Sequence, residues 1–348
     1  MTLLDRLRAG STSPLNDELM RSAADDLEAG GIVATVFDGL GGLPPAAVPE
    51  LRFVAAVHRL VLSRHAPRLA LLYPSVGGVL NRAQLWPAAA EALGENTTQV
   101  RRWMAETGVQ TNEVGRCGPL WGGLQVAAQR CGKLPVRLLE VGASAGLNLR
   151  PDRIGLVVGG RVRGQTDSGL VLDPGWTGLP SVDLERPLRI SHRAACDLQP
   201  VDVSTTDGRE HLASFVWADD LARWERLRAA MTLAQAEPVA VQPLSAADFL
   251  GAELAHAHLG ELTVVWHSVV WQYVSAAERE RARAVLAAAA TRASIHAPLA
   301  LLTYEPVRAE PGASQAYRFE LRLRVWPTGS GTELLGVGAG HGSPFHWG

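Results

Sequence analysis

The residue types best suited to chemistry lie in the stretch Leu138–Leu149, whose sequence is LLEVGASAGLNL. An apolar run over residues 136–141 is too short for a helix and contains one acid, Glu140, near its end. Small residues follow, and then side chains compatible with a helix. This order predicts a buried parallel strand that passes into a helix at the ligand edge of a doubly wound sheet. Because glycine lacks a Cβ, the backbone N–H groups of Gly142 and Gly146 could approach a nucleotide-like ligand closely.

The same spacing is compatible with a second chemistry. Gly142-x-Ser144-x-Gly146 matches the nucleophile elbow of α/β-hydrolases, in which Ser144 would be the nucleophile. A later acid and a histidine such as His341 would complete the triad in chain order. That fold needs several strands before its elbow, whereas residues 16–130 show helical spacing and no strand alternation. The hydrolase interpretation therefore ranks below a ligand-binding turn.

Composition narrows the class of protein further. The chain has 348 residues, of which 47% are hydrophobic and 20% are charged, as expected of a globular protein. A net charge of −2 provides no electrostatic footprint for nucleic acid or an anionic membrane. The three cysteines are widely spaced, which predicts a reducing, cytoplasmic environment. No signal peptide is evident near Met1, and no apolar run reaches the roughly 18 residues of a membrane span.

The chain after residue 135 alternates between predicted strands and helices. Residues 153–163 alternate around Gly159-Gly160, which predicts a β-hairpin within an insertion at about residues 151–187. The last strands turn back at Gly329-Ser330-Gly331 and form an antiparallel hairpin. The predicted strands are 136–141, 188–196, 239–241, 262–268, 299–304, 317–326 and a return through 334–335.

Polar side chains follow several of these strands. Asp197 follows the second strand, His267 ends the fourth, and Glu305 ends the fifth. Since the carboxyl ends of parallel strands form the ligand edge of such a sheet, we expect these groups near a bound ligand. His267 is the predicted general base, because imidazole titrates near neutral pH. Glu305 and Tyr273 are predicted substrate contacts.

The segment Gln110–Arg116, with the sequence QTNEVGR, combines amide, hydroxyl, carboxylate and guanidinium groups. One interpretation is a helix N-cap at Thr111 or Asn112, with Glu113 and Arg116 forming a surface ion pair. The other interpretation is a polar loop across the mouth of the site, with Asn112, Glu113 and Arg116 contacting substrate.

Taken together, QTNEVGR and LLEVGASAGLNL resemble an uncharacterised bacterial family that is similar to class I S-adenosylmethionine (SAM)-dependent methyltransferases. Glu140-x-Gly142-x-Ser144-x-Gly146 resembles their acidic-x-Gly-x-Gly-x-Gly motif, with Ser144 in place of the middle glycine. The resemblance implies an α/β fold with a Rossmann-like sheet of about seven strands that ends in an antiparallel hairpin. Residues 135–348 would form this domain, after an N-terminal helical region or lid at 1–134.

The resemblance also implies SAM as cofactor and a small-molecule methyl acceptor. Asp197 would hold the ribose hydroxyls and Asp248 the adenine amino group. The implied cofactor-binding residues are Glu140, Gly142, Ser144, Gly146, Asp197 and Asp248. Two alternatives remain open, namely a nucleotide-binding protein without transfer activity and the serine hydrolase. No metal site is predicted, because His256-Ala257-His258 lacks matching ligands elsewhere.

Overall fold

The computed structural model describes residues 2–40, 48–106, 108–309, 317–329 and 331–348. Its helices are α1 (Leu3–Arg8), α2 (Pro14–Glu28), α3 (Ile32–Phe37), α4 (Pro49–Leu62), α5 (Pro67–Ala70), α6 (Arg82–Glu106), α7 (Cys117–Arg130), α8 (Thr206–Ser214), α9 (Leu221–Ala236), α10 (Ala246–Glu253) and α11 (Ala276–Ala290). Its strands are β1 (Val136–Val141), β2 (Gly155–Val158), β3 (Arg161–Gly164), β4 (Val171–Leu172), β5 (Trp176–Thr177), β6 (Ile190–Cys196), β7 (Val241–Gln242), β8 (Leu262–Ser268), β9 (Leu299–Arg308), β10 (Tyr317–Trp326), β11 (Glu333–Gly338) and β12 (Phe345–Trp347).

The chain forms two compact units, one of residues 1–111 with 202–228 and one of residues 112–201 with 229–348. The first unit is helical in its described part. Thr2 and Asp5 form a capping box at α1, and proline occupies the first turn of α2, α4 and α5. Its core is apolar and includes Leu19, Phe53 and Leu93, all fully buried.

The second unit contains a nine-stranded sheet in the order β5-β12-β11-β10-β9-β8-β1-β6-β7. From β7 to β9 neighbouring strands are parallel, whereas β9 to β12 pair in antiparallel fashion. The predicted count of about seven strands is therefore wrong, because β12 and β5 extend the sheet beyond the expected hairpin. These strands have only three and two residues, too few to show an alternating pattern. Ser330 of the predicted turn lies outside the described residues.

The centre of the sheet is buried on both faces. Every residue of β1 and β8 is buried, as expected of parallel strands whose sequences are near-continuous apolar runs. Successive side chains point to opposite faces, so Leu138 and Leu139 belong to different core clusters. On one face α7 packs against β9 and β10. On the other, α10 and α11 pack against each other.

The insertion after β1 contains the predicted hairpin. β2 and β3 pair in antiparallel fashion around Gly159 and Gly160, both with positive φ, and β4 completes a three-stranded sheet. Among the described residues, none of the helices has the length and apolar character needed to cross a membrane. The described ranges also hold no group of three or more histidine, cysteine or acidic side chains suited to a metal ion.

Candidate functional site

The site is best located from the order of the parallel strands. From one edge of the sheet inward, β7, β6 and β1 are arranged in the reverse of their order in the chain, whereas β8 and β9 are arranged in chain order. The order therefore reverses between β1 and β8, and ligands of open α/β sheets bind at the carboxyl ends of strands at such a reversal. Val141 ends β1 and is the register partner of His267 on β8. Ser268 pairs with Tyr304, so Glu305 is the first residue of β9 beyond the end of β8.

The turn after β1 is tightly wound. Gly142, Ser144 and Gly146 have φ values of 72°, 55° and 66°, all in the left-handed region. A Cβ on Gly142 would lie 2.3 Å from Cγ2 of Val270, so a glycine is required there by packing as well as by conformation. The close approach at Gly142 is therefore to a side chain of the segment after β8.

The backbone N–H groups of this turn already have acceptors. Those of Gly142 and Gly146, predicted to approach a ligand, donate to the carbonyls of Cys196 and Ala143. Asn112 Oδ1 accepts from the N–H groups of two further turn residues, Ala145 and Leu147, at 3.2 and 3.1 Å. The turn is thus preorganised by the protein, and a ligand at this edge must be recognised chiefly by side chains.

Asp197 joins the end of β6 to the glycine turn. Its Oδ2 accepts from the Ser144 N–H at 2.8 Å, and its Oδ1 accepts from the Gln199 N–H at 2.9 Å. The side chain is half-buried. Because each carboxylate oxygen has two lone pairs, Asp197 retains capacity to accept from a ligand hydroxyl.

Glu140 is the most unusual acid at this edge. It is 2% exposed, and its Oε2 has no hydrogen-bond partner in the described part of the chain. Burial raises the pKa of Glu140 to about 8, although the Trp266 indole, the Arg116 charge and the Asn148 amide favour the carboxylate. The indole N–H of Trp266 nevertheless makes no hydrogen bond of normal geometry among described residues. A buried acceptor without a partner is rare and marks a position where a donor or a cation would be stabilised.

His267 is held by Glu305. Its Nδ1 lies 2.7 Å from Glu305 Oε1, and it must be the donor because a carboxylate only accepts. The ring stacks on Trp271, with centroids 4.6 Å apart and an interplanar angle of 16°. Glu305 Oε1 also accepts from the N–H groups of Val270 and Trp271 at 3.2 and 3.3 Å. Glu305, predicted to contact substrate, is thus a positioning partner of His267, as in a general-base dyad.

The backbone between these groups is strained. Val269 has a φ of 52°, which is a rare conformation for a β-branched residue. This turn directs Val270 over Gly142 and Trp271 over His267. Strain of this kind persists only where the surrounding contacts enforce it, and it is concentrated at functional sites.

The segment QTNEVGR contains a helix cap, but the capping residue is not the one predicted. Glu113, not Thr111 or Asn112, is the N-cap of a short 3₁₀ helix, Val114–Arg116, and accepts from the Gly115 N–H. Arg116 is 9% exposed, so the predicted position of this group on the surface is wrong. Its guanidinium donates to backbone carbonyls, from Nε to Gly340 at 3.0 Å and from Nη1 to Ser268 at 3.5 Å.

Two further predicted site residues, Asp248 and Tyr273, are exposed. Asp248 is exposed near the start of α10, where Ser245 Oγ donates to its carboxylate at 2.8 Å. Arg281 pairs with the same carboxylate at 2.5 Å and competes with any adenine amino group for it. Tyr273 is 63% exposed in the short helix Trp271–Tyr273.

The hydrolase interpretation finds little support around Ser144. Its left-handed backbone is expected of a nucleophile elbow. However, its Oγ is buried without a hydrogen-bond partner in the described ranges, so no histidine activates it there. The N–H of Ala145, which would form the oxyanion hole, donates to Asn112.

Sequence reasoning missed several residues that complete this edge. Trp266 lies within the predicted strand 262–268 and Val270 follows that strand, and neither apolar side chain indicates a site. The sequence assigns His341 a role only in the hydrolase interpretation, whereas the structure places its Nδ1 2.8 Å from Glu113 Oε2. The glycines at 340 and 342 that flank it were a usable signal, because they permit close backbone packing.

Fold and site together define a mixed α/β protein whose polar residues converge at a sheet reversal. The chain belongs to the family described as "Uncharacterized protein conserved in bacteria (DUF2332)", whose profile matches residues 5–347. This confirms the expected membership of an uncharacterised bacterial family. Comparison with curated proteins and with solved structures found no match.

Proposed function

We propose that the chain is a SAM-dependent methyltransferase that acts on a small-molecule acceptor. The observation that carries the proposal is the partnerless carboxylate oxygen of buried Glu140 at the end of the first parallel strand. The order of the five parallel strands, with the first at the centre, is also the usual order of dinucleotide-binding sheets.

The residues at this edge fit the cofactor at two points. SAM carries an ammonium and a sulfonium, and a cation beside Glu140 would favour the carboxylate over the buried carboxylic acid, whose Oε2 has no described partner. SAM also carries ribose hydroxyls, for which Asp197 retains acceptor capacity. The space over Gly142 is occupied by Val270, so recognition would rest on these two carboxylates.

When bound, the cofactor supplies a methyl group on cationic sulfur, which needs no electrophilic activation by the protein. The chain's task is to align the acceptor and exclude water. His267 would accept the proton that the acceptor O–H or N–H loses, at Nε2, while Glu305 holds Nδ1–H and stabilises the imidazolium. Trp271 stacks on the ring and fixes its plane.

One observation favours the alternative of a ligand-binding protein without transfer. Val270 fills the space that a cofactor would use to approach Gly142, and the N–H of Gly142 is already donated to Cys196. Such a protein would bind a nucleotide-like ligand and would transfer no methyl group.

Calorimetry with SAM and S-adenosylhomocysteine tests the proposal. We expect wild-type binding and a roughly 10- to 100-fold weaker affinity for Asp197→Asn, since a hydrogen bond to a charged group contributes about 1.5–3 kcal/mol. Asp183→Asn, at an exposed loop position of the same unit, is the matched control and should bind as wild type. Absence of binding by the wild type would refute the cofactor assignment.

Methyl transfer is then followed with labelled SAM and a panel of small acceptors. We expect His267→Gln to retain SAM affinity and to lose roughly 10²- to 10⁴-fold in turnover, the range of general-base catalysis. Binding without transfer to any acceptor would favour the non-catalytic alternative.

A further inference from the structure

A second histidine–carboxylate pair lies in the same unit as His267 and Glu305. His341 Nδ1 donates to Glu113 Oε2 at 2.8 Å, and Glu113 Oε1 accepts from the Gly115 N–H at 3.0 Å. The Glu113 side chain is 2% exposed, whereas that of His341 is 58% exposed. A buried carboxylate thus fixes one ring nitrogen of an imidazole that is open to solvent.

The backbone around His341 is built to hold this pair. Residues 339–342 form a turn closed by a hydrogen bond from the Gly342 N–H to the Ala339 carbonyl. A Cβ on Gly115 would lie 2.2 Å from the His341 carbonyl oxygen, and one on Gly342 would lie 2.4 Å from that of Gly115. Neither glycine can be replaced without separating the two segments.

The turn is anchored at the carboxyl end of β8 and at the neighbouring part of β9. The hydroxyl of Tyr304, which precedes Glu305, donates to the Ala339 carbonyl at 2.7 Å. The Arg116 guanidinium contacts the Gly340 carbonyl at 3.0 Å and the Ser268 carbonyl at 3.5 Å. Gly340 precedes His341 and Ser268 follows His267, so one guanidinium joins the backbones that carry the two histidines.

This anchoring argues against a purely structural role for the pair. Tyr304 and Arg116 already tie the turn to the sheet, so the Glu113–His341 bond is not needed to hold it there. The contact with Glu113 adds little stability, because the His341 imidazole is 58% exposed and its interaction is screened by water. The arrangement matches that of an acid–base histidine whose tautomer is fixed by a carboxylate.

We propose that His341, positioned by Glu113, is a second residue of the proposed methyl-transfer site that contacts the acceptor, and that the acceptor carries two neighbouring O–H or N–H groups. This inference rests on the proposed function. One group takes the methyl: its lone pair forms the new bond to carbon, the carbon–sulfur bond breaks, and sulfur keeps that electron pair. Its proton passes to His267, while the second group hydrogen-bonds to Nε2 of His341.

The first test needs no cofactor. Diethyl pyrocarbonate labelling of the full chain, resolved by mass spectrometry at each histidine, measures the reactivity of His341 at pH 8. We expect Glu113→Gln to slow labelling of His341 about tenfold, by analogy with removal of the outer partner of a metal-bound histidine. The exposed His256 and His296 are internal controls whose rates should not change. An unchanged rate at His341 would refute activation by Glu113.

Glu113→Asp keeps a carboxylate and should recover part of the reactivity, which separates activation from a folding defect. If Glu113→Gln does not fold, the comparison of wild type with Glu113→Asp tests whether Glu113 activates His341. The shorter aspartate side chain reaches less far toward the imidazole, so it must also slow labelling of His341. Equal rates in a folded Glu113→Asp and the wild type, with His256 and His296 unchanged, would then contradict the inference.

The second test addresses substrate class. Labelled SAM is offered with a 1,2-diol or 1,2-amino alcohol and with the matching mono-alcohol. We expect transfer to the two-group acceptor, and about a 10²-fold loss of turnover in His341→Gln with its KM for SAM unchanged. His346→Gln, an exposed position on β12, is the control and should behave as wild type. Equal turnover of His341→Gln and wild type would overturn the role of His341. If calorimetry finds no SAM binding, the proposed function fails, and the labelling result still decides whether Glu113 activates His341.

Discussion

Replacement of Glu140 by glutamine removes the ionisable group from the most buried acid of the site while keeping its shape. Burial raises the pKa of this carboxyl from 4.5 to about 8 in the folded chain. The folded protein therefore holds a proton between these values that the unfolded chain has released. The stability contributed by this proton is fully present below pH 4.5 and is lost as the pH rises through about 8.

The size of the effect follows from the shift. One pKa unit corresponds to about 1.4 kcal/mol. Relative to its value below pH 4.5, the free energy of unfolding of the wild type therefore falls by up to about 5 kcal/mol above pH 8 and by about 3 kcal/mol at pH 7. The glutamine amide escapes this cost but needs hydrogen-bond partners of its own. We therefore expect Glu140→Gln to raise the free energy of unfolding by about 1–3 kcal/mol at pH 9 and by less than about 0.5 kcal/mol at pH 5.

Urea unfolding at pH 5, 7 and 9 measures this difference. Glu280→Gln, at an exposed position on α11, is the matched control and should show no pH-dependent gain. The same Glu140→Gln protein should lose affinity for SAM in calorimetry, because an amide does not compensate a cation. A gain that is equal at all three pH values, or a loss at pH 9, would refute the reasoning from burial.

Two further predictions concern stability, one in each unit. Gly142→Ala should lower the free energy of unfolding by roughly 2–4 kcal/mol, because the new Cβ meets Val270 at 2.3 Å and φ is positive. Val270→Ala in the same chain should recover part of that loss in urea titrations, and a double variant no more stable than the single one would contradict this packing argument. In the helical unit, burial lowers the pKa of His58 to about 4, so stability should be lost as the pH falls from about 6.5 through 4. His58→Gln should flatten this dependence in far-ultraviolet circular dichroism melts, whereas an unchanged slope would exclude His58 as its source.

Several elements could be predicted from local pattern alone. β1 and β8 are near-continuous apolar runs, and such runs form buried parallel strands because both faces of the sheet are covered. The turn at Gly159-Gly160 was predictable because both residues adopt a positive φ, which glycine tolerates. The position of His267 at the end of β8 followed from the length of the run before it.

Other features depended on contacts between residues far apart in the chain. Glu113 and His341 are 228 positions apart, and nothing near either residue indicates the other. The same holds for Asn112, whose side chain accepts from the turn at Ala145, and for Val270, which packs over Gly142. Such pairs are set by the register and order of strands, which local propensity does not encode.

Residue type and spacing therefore established the central strands, the glycine turn and the acids near the ends of β1 and β6, because each depends on burial and backbone conformation within a few residues. Only the tertiary structure determined the hydrogen-bond partners. Glu305 pairs with His267, Glu113 pairs with His341, and the N–H groups of the turn donate to protein acceptors, while one oxygen of Glu140 has no described partner. The physical reason is that hydrogen bonds and desolvation act over a few ångströms in space, irrespective of distance along the chain.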